Sequence, residues 1–269
     1  MPPKVKRAIR AKPLVRYDGR RRAFVASGSI MRGAHKTIEM WYGCTHRTSL
    51  QTGDWIDRYN LARGTAISHD LRRWIKAGSP LSGASFTILK TQTRAIIQAI
   101  QARSWKIISV ETPVVVKHAR TATAVDLIVA TSPPKDAPKT WKPSQRDPVA
   151  VCEIKLVGTR LWDAPSGPFI PASICGGTSI PATPRKVAMI QLALTHVLYS
   201  STFAGQLQSP PVLIHVYPVV RGMVCNMEEL RPWVHQFVIP DIRRRLAHND
   251  HQRASSELIT SQLPTSSSH

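Results

Sequence analysis

Three residues stand out by type and place: Asp126 in "AVDLIV", and Glu153 and Lys155 in "VAVCEIKLV". Each interrupts a run of Val, Ile and Leu that otherwise reads as a buried strand. Side chains alternate along a strand, so Val151, Glu153 and Lys155 share one face while Cys152, Ile154 and Leu156 share the other. Burying a charge is costly unless it is paired or holds a metal. If the two strands are neighbours, Asp126 and Glu153 face one point, and two carboxylates at close range repel unless a cation sits between them. Oxygen ligands with room for waters suit Mg2+ or Mn2+. A lysine beside them would steady an attacking hydroxide or offset charge building on a phosphate.

The elements that must position these groups are legible in outline. "DWIDRYNLARGTAISHDLRRWIKAG" predicts one or two helices, with Ile67, Leu71, Trp74 and Ile75 recurring at helical spacing and Gly78 as a stop. "FTILKTQTRAIIQAIQARS" predicts another, with Ile96, Ile97 and Ile100 inward. "KIISVETPVVVK" and "TATAVDLIVAT" read as two strands, followed by a Pro- and Lys-rich connection and then the strand bearing Glu153 and Lys155. An irregular stretch over 158–184 leads to the helix "PRKVAMIQLALTHVLYSSTF", with Pro184 suited to its first turn. The strand "PVLIHVYPVV" and a closing helix over "MEELRPWVHQFVIPDIRRRLAH" complete the order α, α, β, β, β, α, β, α. That order fits an α/β fold with a mixed central sheet flanked by helices.

With these elements in place, the chain resembles the PD-(D/E)XK nuclease superfamily over roughly residues 60–220, and within it the RecB-like and lambda-exonuclease-like branch. The resemblance is carried by Val125-Asp126, then Glu153-Ile154-Lys155, then Gln191 in "MIQLALTHVLY". It implies a restriction-endonuclease-like core in which Asp126 and Glu153 bind the metal, Lys155 assists the nucleophilic water and Gln191 supports the site. Many members carry Gly-Thr-x-x-His on an upstream helix, whose His is a further metal ligand. Here "RGTAISHD" puts His69 one residue late and Ser68 in that slot, a turn of about 100° around a helix. Val125 stands where the family usually has Pro. Glu111, in "SVETPVVV", is a further candidate metal or water-orienting carboxylate.

Charge points the same way. The chain of 269 residues holds 37 Lys plus Arg against 16 Asp plus Glu, a net charge of +21, which attracts phosphate whatever the specificity. Arg72, Arg73, Lys76, Lys117, Arg120, Lys142, Arg185 and Lys186 are the candidate nucleic-acid contacts near the site. Trp141 and Trp162 fall in loops expected to border it, where an aromatic ring could stack on an unpaired base.

The expected organisation is a basic arm over residues 1–25 without fixed structure, a single domain over 26–246 and a polar, Ser-rich tail over 247–269. The arm, with nine Lys or Arg in its first 22 residues, suits DNA binding or import into a nucleus or mitochondrion, while a bacterial-type cytoplasm stays open. No apolar run reaches membrane-span length. The four cysteines, Cys44, Cys152, Cys175 and Cys225, are scattered, which argues against a disulfide framework, a zinc ribbon or an iron–sulfur cluster. There is neither a Walker A loop nor a G-x-S-x-G elbow.

The expected function is Mg2+- or Mn2+-dependent hydrolysis of DNA, acting on single strands or duplex ends as an exonuclease or end-processing enzyme of replication, recombination or repair, with a protein partner from one of those processes conceivable. Two alternatives stand beside it: a non-catalytic, basic nucleic-acid-binding protein on a degenerate nuclease fold, and a structure-specific endonuclease.

Overall fold

The structure is a computed structural model that describes residues 15–18, 23–44, 54–135, 141–157, 162–165 and 169–248. It is an α/β fold built on one large mixed sheet with helices on both faces. The strands are β1 (Val15–Asp18), β2 (Ala23–Ala26), β3 (Ser29–Gly33), β4 (Lys106–Val116), β5 (Thr121–Ala130), β6 (Val149–Leu156), β9 (Val212–Val219) and β10 (Gly222–Glu229). A two-stranded ribbon, β7 (Phe169–Ile170) with β8 (Ile180–Pro181), lies apart from the sheet. The helices are α1 (Ala34–Tyr42), α2 (Asp54–Lys76), the single turn α3 (Ala84–Thr87), α4 (Thr91–Ala102), α5 (Pro184–Thr202) and α6 (residues 232–248), the last widened to a π turn over Val234–Val238.

β5 is the organising strand. One of its edges is filled along nearly its whole length by the antiparallel partner β4. Its other edge is divided: β3 runs parallel to it at Thr121 and Ala122, while β6 runs antiparallel to it from Leu127 to Ala130. Among the described residues, the intervening edge from Thr123 to Asp126 has no ladder partner, so the sheet forks there. β9 then runs parallel to β6, and β10 closes the edge as a hairpin with β9.

The strand pattern of β6 follows from side-chain alternation. Val149 and Val151 enter the core beneath α5, while Ala150 and Cys152 enter the core beneath α2 and α4. Ile96, Ile97 and Ile100 are fully buried on α4, as their spacing predicts. α5 begins at Pro184, and Thr183 caps it by accepting a hydrogen bond from the backbone N–H of Lys186 at 3.2 Å. Twelve of the 19 residues of α5 are buried, because the helix lies between the sheet and α6.

Four expectations need correction. β1 and most of β2 fall within the stretch expected as an arm, with Val15 buried against Ala26, Met31 and Ala122, so ordered sheet begins before residue 26. Alternation of polar and apolar residues there is short and broken by arginines, which hides the strands. Residues 1–14 and 249–269 lie outside the described residues, and the tail's expected start at 247 falls two residues inside α6. The closing helix begins at 232, because Met227, Glu228 and Glu229 are taken by β10 in a hairpin that the residue pattern does not announce. α1 is a further helix absent from the expected order. No helix among the described residues is long and apolar enough to cross a membrane.

Candidate active site

The fork in the sheet is where Asp126, Glu153 and Lys155 meet. The β4–β5 register brackets Glu111 opposite Asp126, and the β5–β6 register continues toward Glu153, so three carboxylates fall in a row on three neighbouring strands. They line one cleft of about 390 Å3 together with Lys155, Gln191 and His35. The α2 wall of this cleft is Gly64, Thr65, Ile67 and Ser68.

Local structure places each group. Where β6 leaves the ladder, the N–H of Ile154 would lack a backbone partner, and Asp126 accepts it through Oδ2 at 2.8 Å. Glu153 is 3 % exposed, yet its Oε1 accepts from Lys155 Nζ at 2.8 Å and from the Gln191 side-chain amide. Gln191, itself buried on α5, also accepts from Lys155 Nζ at 3.0 Å. A buried carboxylate thus has a paired ammonium and an amide donor, the condition under which burial is tolerated. Glu111 takes a left-handed backbone conformation, φ 51°, in mid-strand, which is uncommon for a residue with a Cβ and costs on the order of 1–3 kcal/mol. Its carboxylate pairs with Arg72.

Electrostatics single out Asp126. Burial and the neighbouring Glu153 charge, followed by Glu111, push its carboxyl up to about 8, against the opposing pull of Lys155 and the Ile154 N–H. Its ionised form therefore calls for a cation that the protein's own groups do not fully supply. As they stand, no three His, Cys, Asp or Glu side chains among the described residues close a metal site by themselves. The donor set nevertheless fits a hard divalent ion of the Mg2+ kind, which needs only one or two carboxylates and keeps several waters.

Asp126, Glu153, Lys155, Gln191 and Glu111 are brought together, as expected. His69 is not: it is exposed on α2 and does not line the cleft, whereas Ser68 does. The shift of one residue has rotated it away. Arg72 is engaged by Glu111, and Arg73 approaches Asp70 at 3.8 Å. Arg185 is held by Glu228 at 2.6 Å and Asp163 at 3.2 Å, and Lys186 Nζ donates to the Pro181 carbonyl at 2.8 Å. These arginines are already neutralised by protein carboxylates. Lys76 and Lys142 are exposed and line none of the cleft. Lys117 and Arg120 lie in the β4–β5 turn.

Trp141 does not border the cleft: it lies against Lys106, at the start of β4 and five residues from Glu111. Trp162 is buried in a stack with His215, 5.5 Å between ring centroids, and His215 stands beside Lys155 in the β6–β9 register. His35, which the sequence does not single out, lies one residue into α1 and lines the cleft. Its surroundings and the Lys155 ammonium both disfavour its protonation. The spacing of Ala34, Ile38 and Tyr42, all buried, was the available signal for that helix.

No protein-family model matches this sequence, and no curated protein matches it significantly.

Proposed function

We infer that the chain is a divalent-metal-dependent nuclease that hydrolyses DNA phosphodiester bonds, of the kind its resemblance to PD-(D/E)XK enzymes implies. The observation that carries this reading is the convergence of Lys155 and Gln191 on the buried Glu153, with Asp126 facing the same cleft from the next strand. Asp126 and Glu153 are the residues that would hold the ion, with Glu111 within the same row. A bound Mg2+ or Mn2+ supplies an activated water at neutral pH and neutralises charge on the phosphate.

The chain's own groups do the rest. Lys155 holds a fixed positive charge beside the carboxylates, where it orients a water and offsets negative charge growing on phosphate oxygens. Gln191 fixes both Lys155 and Glu153 through one amide, so that neither side chain has to reorganise. Glu153 and Gln191 are buried on the α5 side, which keeps water from them and strengthens these interactions. The net charge of +21 favours a polyanionic substrate.

The test is a comparison of linear and closed circular DNA, each incubated with Mg2+ and with chelator. Metal-dependent loss of the linear form alone marks an exonuclease, and nicking of circles marks an endonuclease. Binding without degradation by the wild type overturns the hydrolytic reading.

A further inference from the structure

The cleft is not charged alike on its two sides. Toward β3 and α1 it opens into a groove of about 650 Å3, and His35 and Gln191 line both spaces. The groove carries Arg32 on β3, Lys36 in the first turn of α1 and Arg120 at the β4–β5 turn. The backbones of Arg32 and Arg120 are tied together, since Arg32 N–H donates to the Arg120 carbonyl at 2.6 Å and Arg32 pairs in register with Thr121. No carboxylate among the described residues forms an ion pair with any of the three, and the first turn of α1 has no acid. Arg120 also faces an adjoining hollow shared with Lys117 and His118, which prolongs the basic surface.

On the opposite side, beyond Lys155, the hollow lined by Trp162, His215 and Tyr217 has its arginine cancelled by Glu228 and Asp163. Arg231 pairs with Glu228 too. A phosphate chain therefore gains attraction on the β3 side and little on the β9–β10 side.

We propose that a single nucleic-acid strand approaches the carboxylate row from the β3–α1 side, with its phosphates held in this groove by Arg32, Lys36 and Arg120. A groove of about 650 Å3 takes up a short stretch of one strand's backbone, and a duplex reaches these cations only through the phosphates of one of its strands. Cations that contact phosphates position the strand and carry no base readout. This deepens the nuclease reading and rests on it only for where the scissile phosphate lies.

The test needs no catalysis. Binding of a fluorescein-labelled oligothymidylate to the full chain is followed by anisotropy in chelator across a salt titration. Replacing all three by alanine (R32A, K36A, R120A) lowers the slope of log affinity against log salt by about 2, at roughly 0.7 for each strand phosphate that is no longer neutralised. The lysine form (R32K, R120K, with Lys36 kept) retains the slope, and Arg221→Ala on the β9–β10 turn leaves it unchanged. Circular dichroism melts of each variant establish that the fold is kept.

An unchanged slope in the folded alanine variant overturns the proposal, as does an equal loss from Arg221→Ala or failure of the wild type to bind the oligonucleotide. Metal-dependent cleavage by the wild type, measured separately, decides the nuclease reading. A reduced slope without any cleavage keeps the groove and removes the nuclease.

Discussion

Lys155 Nζ lies 2.8 Å from Glu153 Oε1, two residues back on the same face of β6, and both touch one amide, that of Gln191. On an ordinary strand such a pair would sit at the surface. Here the carboxylate is buried and the ammonium is mostly covered, so each depends on the other.

Lys155→Ala should leave Glu153 buried with the Gln191 amide as its remaining side-chain donor. Because Lys155 keeps some exposure, the loss is expected at about 2–3 kcal/mol, at or below the low end for breaking a fully buried pair. Urea unfolding measures it. Nuclease activity should fall by on the order of 100-fold or more, as when one preorganised electrostatic donor is removed. Lys155→Arg, which keeps the charge but not the geometry, should recover more stability than activity.

The raised carboxyl of Asp126 gives a signed pH dependence. The folded state binds this proton more tightly than the unfolded chain, so its contribution is most favourable at low pH. That contribution is lost as pH rises from the ordinary value of 3.8 toward about 8. In chelator, Asp126→Asn should therefore gain stability over wild type progressively between those values. Mg2+ should stabilise the wild type more at pH 8 than at pH 6, because the ion competes with the proton. Unfolding curves at several pH values with and without Mg2+ check both statements. A stability difference that is flat with pH would contradict this picture of the site.

His69→Ala should change Mg2+-dependent activity by less than about twofold, since the side chain points away from the cleft and exposed substitutions are usually close to neutral. His35→Ala, at the cleft mouth beside Lys155, should reduce activity with little effect on the melting temperature. Parallel rate assays of the two variants decide which histidine belongs to the site.

Glu111 holds a backbone conformation that glycine adopts without strain. Glu111→Gly should thus be close to neutral or stabilising in unfolding experiments, even though it frees Arg72 from its pair. Activity should drop nonetheless, because one member of the carboxylate row is gone. Glu111→Gln, which keeps the Cβ and the strain, separates the charge effect from the backbone effect.

Which face each β6 residue takes was readable from the residue order, because strand alternation has period two and needs no partner to set it. Ile96, Ile97 and Ile100 on α4, and the start of α5 at Pro184, followed equally from local rules. So did the choice of Asp126, Glu153 and Lys155, since charges inside apolar strands are conspicuous wherever the strands end up. Tertiary structure alone decided that β5 shares one edge between β3 and β6, and hence that the sheet opens beside Asp126. It alone brought His35 in from a distant helix and paired Arg72 and Arg185 with carboxylates remote in the chain. Strand neighbours and ion-pair partners are fixed by long-range packing, whose energy no local pattern of residues records. The types of the chemical groups were therefore readable along the chain, and their company was not.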